Sequence, residues 1–163
     1  MSDSKPSDDP VAGGPEKLSL GDFLPYRLSV LSNTVSRAIA ADYDRAFGLN
    51  IWQWRCMAVL GETPGLTARE LAERTAMDKV AVSRAIAALE TAGHLRRETD
   101  ARDARASRLF LTADGLRTYQ AIIPIARRHE QALLAPLTEH ERAQLSDLLT
   151  RLAHAAAPGE GLW

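Results

Sequence analysis

The chain has 163 residues, a formal net charge of −1 and 45% hydrophobic residues, a composition that fits one domain with a real core and excludes a wholly basic or disordered binder. No apolar run nears the roughly 18 residues that a bilayer span needs, and the start, MSDSKPSDDPVAGGPE, lacks the layout of a secretory leader, so the cytoplasm is the expected compartment and no membrane partner is expected. A single cysteine, Cys56, excludes an intrachain disulfide framework and a multi-cysteine zinc cluster.

Residues 1–18 are rich in Ser, Asp, Pro and Gly and read as a flexible tail. From Phe23 to Phe47, apolar residues at Leu24, Leu28, Leu31, Val35, Ile39 and Phe47 predict a long amphipathic helix that Gly48 ends. Asn50 is placed to cap a second helix, IWQWRCMAVLGE, closed by Pro64-Gly65. Thr67 with Glu70 forms a capping box that opens a short helix to about Arg74, and after the turn TAM, Asp78 caps a helix to Ala92 that Gly93 stops. Two helices joined by a tight turn make a helix-turn-helix. HLRRET, a polar tip DARDAR and the alternating ASRLFLT then predict a β-hairpin. Thr112 and Asp114 start a helix from Ala113 to Leu134, bent where Pro124 removes a backbone donor, and Thr138 with Glu141 opens a last helix to about Ala156 carrying Leu145, Leu148, Leu149 and Leu152. The fold class expected is mainly α with a small β-hairpin wing. Residues 50–112 would form the winged helix-turn-helix, and residues 19–48 and 113–157 long helices with more apolar face than that small core requires, hence a dimer interface.

Net charge hides a local field: from Lys79 to Arg108 seven cations face four acids. On the wheel of the helix from Asp78 to Ala92, Val82, Ile86 and Leu89 share the inward side, while Val80, Ser83, Arg84 and Ala87 lie opposite, with Lys79 at the edge. Side chains this small allow close approach to a major groove. Arg84 can reach guanine O6 and N7, Ser83 a base or a phosphate, Val80 a thymine methyl and Lys79 the backbone. Arg102 and Arg105 at the hairpin tip suit a narrow minor groove, and Thr67 and Arg108 complete the candidate DNA-binding set. Asp100 and Asp103 are expected to brace those arginines or the hairpin. Taken alone, this helix face could also be plain solvated surface; the basic hairpin directly after it favours DNA.

Through LTARELAERTAMDKVAVSRAIAALETAGHLRRETDARDARASRLFLTADG, residues 66–115, the chain resembles the MarR family of bacterial transcriptional regulators. That family's wing signature, Asp-x-x-Asp-Arg-Arg followed by Leu-Thr-x-x-Gly, stands here as Asp100, Asp103, Ala104, Arg105, Leu111, Thr112 and Gly115. Ala104 replaces the first arginine of the pair, and Arg102 is a candidate substitute, so the arginine that enters the minor groove stays open. The resemblance implies a homodimer on a pseudo-palindromic double-stranded DNA operator, usually repressing nearby genes and responding to a small aromatic acid or phenol.

For such an effector, Arg27 lies on the apolar stripe of the first helix and needs an anionic partner; Tyr26, Leu31, Trp52, Trp54 and Arg55 complete the candidate set. The alternative is that Arg27 pairs with a carboxylate across a dimer interface while the tryptophans are core. Cys56, inside an apolar helix, reads as a small core residue and not as a redox sensor. His94, His129, His140 and His154 lack ligand spacing, so neither metal nor cofactor is expected. No nucleophile with its base, carboxylate pair or phosphate loop appears, and catalysis is not expected. A winged helix used as a protein-interaction module is the other class left open, distinguished by weak DNA binding without sequence preference.

Overall fold

The computed structural model describes residues 17–99 and 107–156, with the order α1 (Leu24–Phe47), α2 (Ile51–Glu62), α3 (Ala68–Thr75), α4 (Lys79–Thr91), β1 (Leu95–Thr99), β2 (Ser107–Leu111), α5 (Ala113–Leu134) and α6 (Glu139–Ala156). Most of the N-terminal tail and the wing tip, with Asp100, Arg102, Asp103, Ala104 and Arg105, lie outside the described residues. The chain divides into two compact units that meet within α1, one ending at Val35 and the other starting at Ser36.

Helix starts follow the caps written in the sequence. The Asn50 side chain accepts from the amides of Trp52 and Gln53, both at 3.0 Å, while the Gln53 carboxamide accepts from the Asn50 amide at 2.8 Å. This is a full capping box where only a single cap was expected. Thr67–Glu70 and Thr138–Glu141 form the two expected boxes, with each Glu carboxylate accepting from the Thr amide at 2.7 Å. Asp78 accepts from the amides of Val80 and Ala81 at 2.9 and 2.8 Å and starts α4. The turn between α3 and α4 departs from the usual chemistry, because Ala76 occupies the left-handed region at φ 50° where glycine is favoured. Its amide donates back into the end of α3, satisfying carbonyls that would otherwise be orphaned. Pro124 sits inside α5 without ending it.

The core of the second unit gathers Tyr43, Cys56, Met57, Leu60, Leu71, Ile86, Leu89, Leu109 and Ile122, all essentially inaccessible, so α2, α3, α4, the hairpin and α5 share one cluster. Tyr43 continues the stripe of Val35 and Ile39; its phenol is carried into the core with no hydrogen-bond partner among the described residues, and burial followed by the nearby Asp42 charge pushes its pKa up to about 12. Cys56 is a core residue, its thiol pushed up to about 11 by burial. The strands pair antiparallel from Leu95↔Leu111 to Thr99↔Ser107. Leu66 adds a bridge to Leu109, with paired hydrogen bonds of Gly65 and Leu109 and of Leu109 and Leu66, both 2.9 Å, so the wing is anchored on the segment leading into α3.

Candidate nucleic-acid interface

α4 divides as its sequence predicts. Val82, Ala85, Ile86 and Leu89 are buried, whereas Lys79, Val80, Ser83, Arg84 and Ala87 are exposed, with Val80 at 59%. An apolar residue that exposed gains nothing in the isolated protomer, since burying a valine side chain is worth about 1.5 kcal/mol or more. It has a use where a partner covers it.

α3 and α4 enclose a cleft of about 270 Å³ whose lining includes Lys79, Ser83, Arg69 and Arg97. Nothing in the spacing of the sequence marks Arg69 and Arg97 as neighbours of the α4 face, because they come from α3 and β1 and only the packing unites them. Arg69 pairs with Glu73 at 3.0 Å on an open surface, where such a bond is easily exchanged. Arg97 donates to Glu90 at 2.7 Å and thereby ties the base of the wing to the last turns of α4. Arg96 lies over the Phe110 ring at 5.0 Å and pairs with Glu98.

Two members of the expected DNA-binding set have structural engagements. The Thr67 hydroxyl holds Glu70 in the α3 capping box. Arg108 donates to the Gly65 carbonyl at 2.9 Å and stands 3.9 Å from Glu70, bracing strand β2 against the start of α3. Glu70 is consequently held below the usual carboxylate range, first by the Thr67 amide and hydroxyl and then by the charges of Arg108 and Arg74.

The residues proposed for an effector do not all converge. Trp52 is 46% exposed and carries the Arg55 guanidinium over its ring at 5.5 Å, and Arg55 also donates to Ser36 at 3.4 Å. Trp54 faces elsewhere: it lies 5.1 Å from the Tyr43 ring and stacks on Tyr119 at 5.9 Å with 26° between the planes. Tyr119 comes close because Gly61 has no side chain; a Cβ there would sit 2.7 Å from the ring. Trp54 and Tyr119 form one wall of an open groove of about 660 Å³ between α2 and α5, with Glu62, Arg127 and Glu130 on its rim. Tyr26, Arg27 and Leu31 belong to the N-terminal unit and are exposed there. No group of three or more potential metal ligands occurs among the described residues, and no described helix is long and apolar enough to cross a membrane.

The sequence profile described as the MarR family matches residues 47–106. An HTH-type transcriptional repressor of Mycobacterium tuberculosis, Rv2887, is 28% identical over 131 residues, covering 80% of this chain and 91% of that one. A MarR-family regulator from Silicibacter pomeroyi superposes with a TM-score of 0.76 at 25% identity, over 90% of this chain and 100% of the other. The PcaV transcriptional regulator of Streptomyces coelicolor, solved in complex with its natural ligand, gives 0.71 at 27% identity, over 86% and 99%. Profile, relatives and fold agree: the chain matches the MarR family over residues 47–106 and is similar along most of its length to transcriptional regulators of that kind.

Proposed function

We propose that the protein is a homodimeric, sequence-specific repressor that leaves its operator when a small aromatic acid or phenol binds. The observation that carries the DNA half is the α4 face: Val80, Ser83, Arg84 and Ala87 stand exposed above a buried row, with Lys79 beside them. In the major groove, Arg84 reads guanine, Val80 and Ala87 accept the closeness of thymine methyls, and Lys79 holds a phosphate. One of the wing arginines, Arg102 or Arg105, enters the minor groove. Repression is supported by the repressor relative. Dimerisation through residues 19–48 and 113–157 is supported by leucines left exposed in the protomer, Leu24, Leu28 and Leu31 in one unit and Leu145, Leu148 and Leu149 in the other.

The ligand half rests on the α2–α5 groove, whose volume of about 660 Å³ lies in the range of small-molecule sites. Trp54 and Tyr119 offer faces for a planar ring, and Arg127, with no ion pair among the described residues, offers a grip for one anionic or phenolic oxygen. The PcaV structure with its natural ligand supports a ligand-responsive reading.

The test starts with selection of a duplex by the wild-type protein from a random-sequence pool. A symmetric site with half-sites about 34–36 Å apart is expected. Arg84→Ala should lose about 1–3 kcal/mol of binding and tolerate changes at one base pair in each half-site, whereas Lys79→Ala should lower the salt slope by about one. Equal binding by Arg84→Ala and wild type would refute the docking; salt-labile binding with no enriched sequence would point to a protein-interaction module.

A further inference from the structure

The wing motif ends in Leu111, Thr112 and Gly115, and none of the three faces outward as a DNA contact would: Leu111 and Gly115 are buried and Thr112 half-buried. They meet the end of α4. That helix ends at Thr91, Gly93 turns the chain at φ 75°, and the His94 amide donates back to Leu89 at 2.9 Å. The turn leaves the carbonyls of Gly93 and His94 directed at α5. Thr112 takes both, its hydroxyl donating to Gly93 at 2.6 Å and its amide to His94 at 3.0 Å. The same hydroxyl oxygen accepts from the Gly115 amide at 3.0 Å and so caps α5. Gly115 completes the fit, since a Cβ there would lie 2.0 Å from the His94 carbonyl oxygen.

We propose that Thr112 is a positioning residue for operator recognition: with Gly115 it bolts the first turn of α5 to the last turn of α4 and sets the tilt at which α4 meets DNA. The proposal rests on α4 being the recognition helix. An ordinary cap would need only the acceptor half of the hydroxyl; here the proton half goes to a different element. The joint also coincides with the base of the wing, where Leu95 pairs with Leu111, so one threonine holds the orientation of α4, the hairpin and α5 together. Leverage makes it matter. α4 has 13 residues, and a tilt of about 10° at its C-terminus would displace its N-terminal end, roughly 20 Å away at 1.5 Å per residue, by about 3 Å. Hydrogen bonds to base edges do not survive such a shift.

The test separates cap from joint. Thr112→Asp keeps a strong helix cap but has no proton to give Gly93; Thr112→Ser keeps both functions; Thr112→Val keeps neither. Each variant is compared with wild type on the duplex enriched by wild type and on a scrambled duplex of equal length and composition, at a temperature where circular dichroism shows full folding. Thr112→Asp is expected to bind the enriched duplex at least tenfold more weakly with scrambled binding within twofold of wild type, and Thr112→Ser to stay within threefold on both. Thr112→Val, if it folds, should match Thr112→Asp. If Thr112→Asp binds the enriched duplex within twofold of wild type, or loses both duplexes equally, the positioning role is overturned. A wild type that enriches no sequence overturns the regulator reading and the joint with it, whereas normal enrichment with an indifferent Thr112→Asp overturns the joint alone.

Discussion

Thr67 illustrates how a local pair of residues reaches a second element. Its amide and hydroxyl both donate to Glu70, at 2.7 and 2.9 Å, and Glu70 in turn stands near Arg108 of the wing. The folded pKa of Glu70 lies below its unfolded value. Its contribution to stability is therefore complete above the unfolded carboxylate pKa of about 4.3 and is lost as pH falls through the depressed folded value. Thr67→Ala should cost about 1 kcal/mol at neutral pH through the missing cap. The gap to wild type should narrow below about pH 4 as Glu70 protonates in both states, by a fraction of that amount because the carboxylate is screened by solvent. Urea melts at pH 7 and pH 3 measure this; a gap unchanged with pH would show that Glu70 takes no part. Thr67 and Glu70 were legible in the sequence because a capping box is a local pattern. Arg69, Arg97 and Tyr119 were not, because each matters only through a neighbour from another element. Ala76 was illegible for a different reason: the turn between α3 and α4 demands a left-handed residue, and the sequence supplies one without the usual glycine.

Among elements, the pairing of α2 with α5 has the most functional consequence. The sequence groups Trp52, Trp54 and Arg55, three neighbours in the chain, but a helix turns about 100° per residue and sends Trp54 away from the other two. What joins Trp54 is Tyr119, admitted by the bare Gly61. The resulting groove has one cation, Arg127, against two carboxylates, Glu62 and Glu130. That balance favours ligands with a single anionic or phenolic oxygen, because a second carboxylate would meet like charge in a partly desolvated site. Monohydroxy and monocarboxylic aromatic compounds are thus expected to raise the melting temperature and release operator DNA, with aromatic dicarboxylates of similar size much weaker. Arg127→Ala should weaken the binding of monocarboxylates by at least about one order of magnitude, the worth of a charge-assisted hydrogen bond at roughly 1.5–3 kcal/mol. Calorimetric titration with a benzoate series checks it; stronger binding of dicarboxylates would overturn the charge argument.

For the whole molecule, the exposed leucines set the expectation. α6 has no buried residue, and Leu145, Leu148, Leu149 and Leu152 are all substantially exposed. An amphipathic helix gains most of its stability from burying its apolar stripe, so α6 left alone in water would be marginal. In the proposed dimer, a second copy covering α6 would supply the missing burial and present two α4 helices to one duplex. Leu148→Asp with Leu149→Asp should convert the protein to a monomer by analytical ultracentrifugation. Operator affinity should fall at least tenfold, while the Cys56 thiol, buried in the core around α2, stays unreactive to a thiol reagent. A double variant that remains dimeric would place the interface elsewhere.

The sequence by itself determined the succession of elements, their caps and the faces of α4, because hydrogen-bond capping and hydrophobic periodicity act within a few residues along the chain. The helix from Ala113 to Leu134, the strands around the wing and the buried row Val82, Ile86 and Leu89 all follow from such local rules. Only the tertiary structure decided which side chains meet across elements. It pairs Trp54 with Tyr119, engages Arg108 with Gly65, and turns Thr112 and Gly115 from a wing signature into a joint on α4. Such meetings depend on how helices pack at a distance of 8–10 Å, which one missing Cβ at Gly61 or Gly115 can alter, and no spacing along the chain records it.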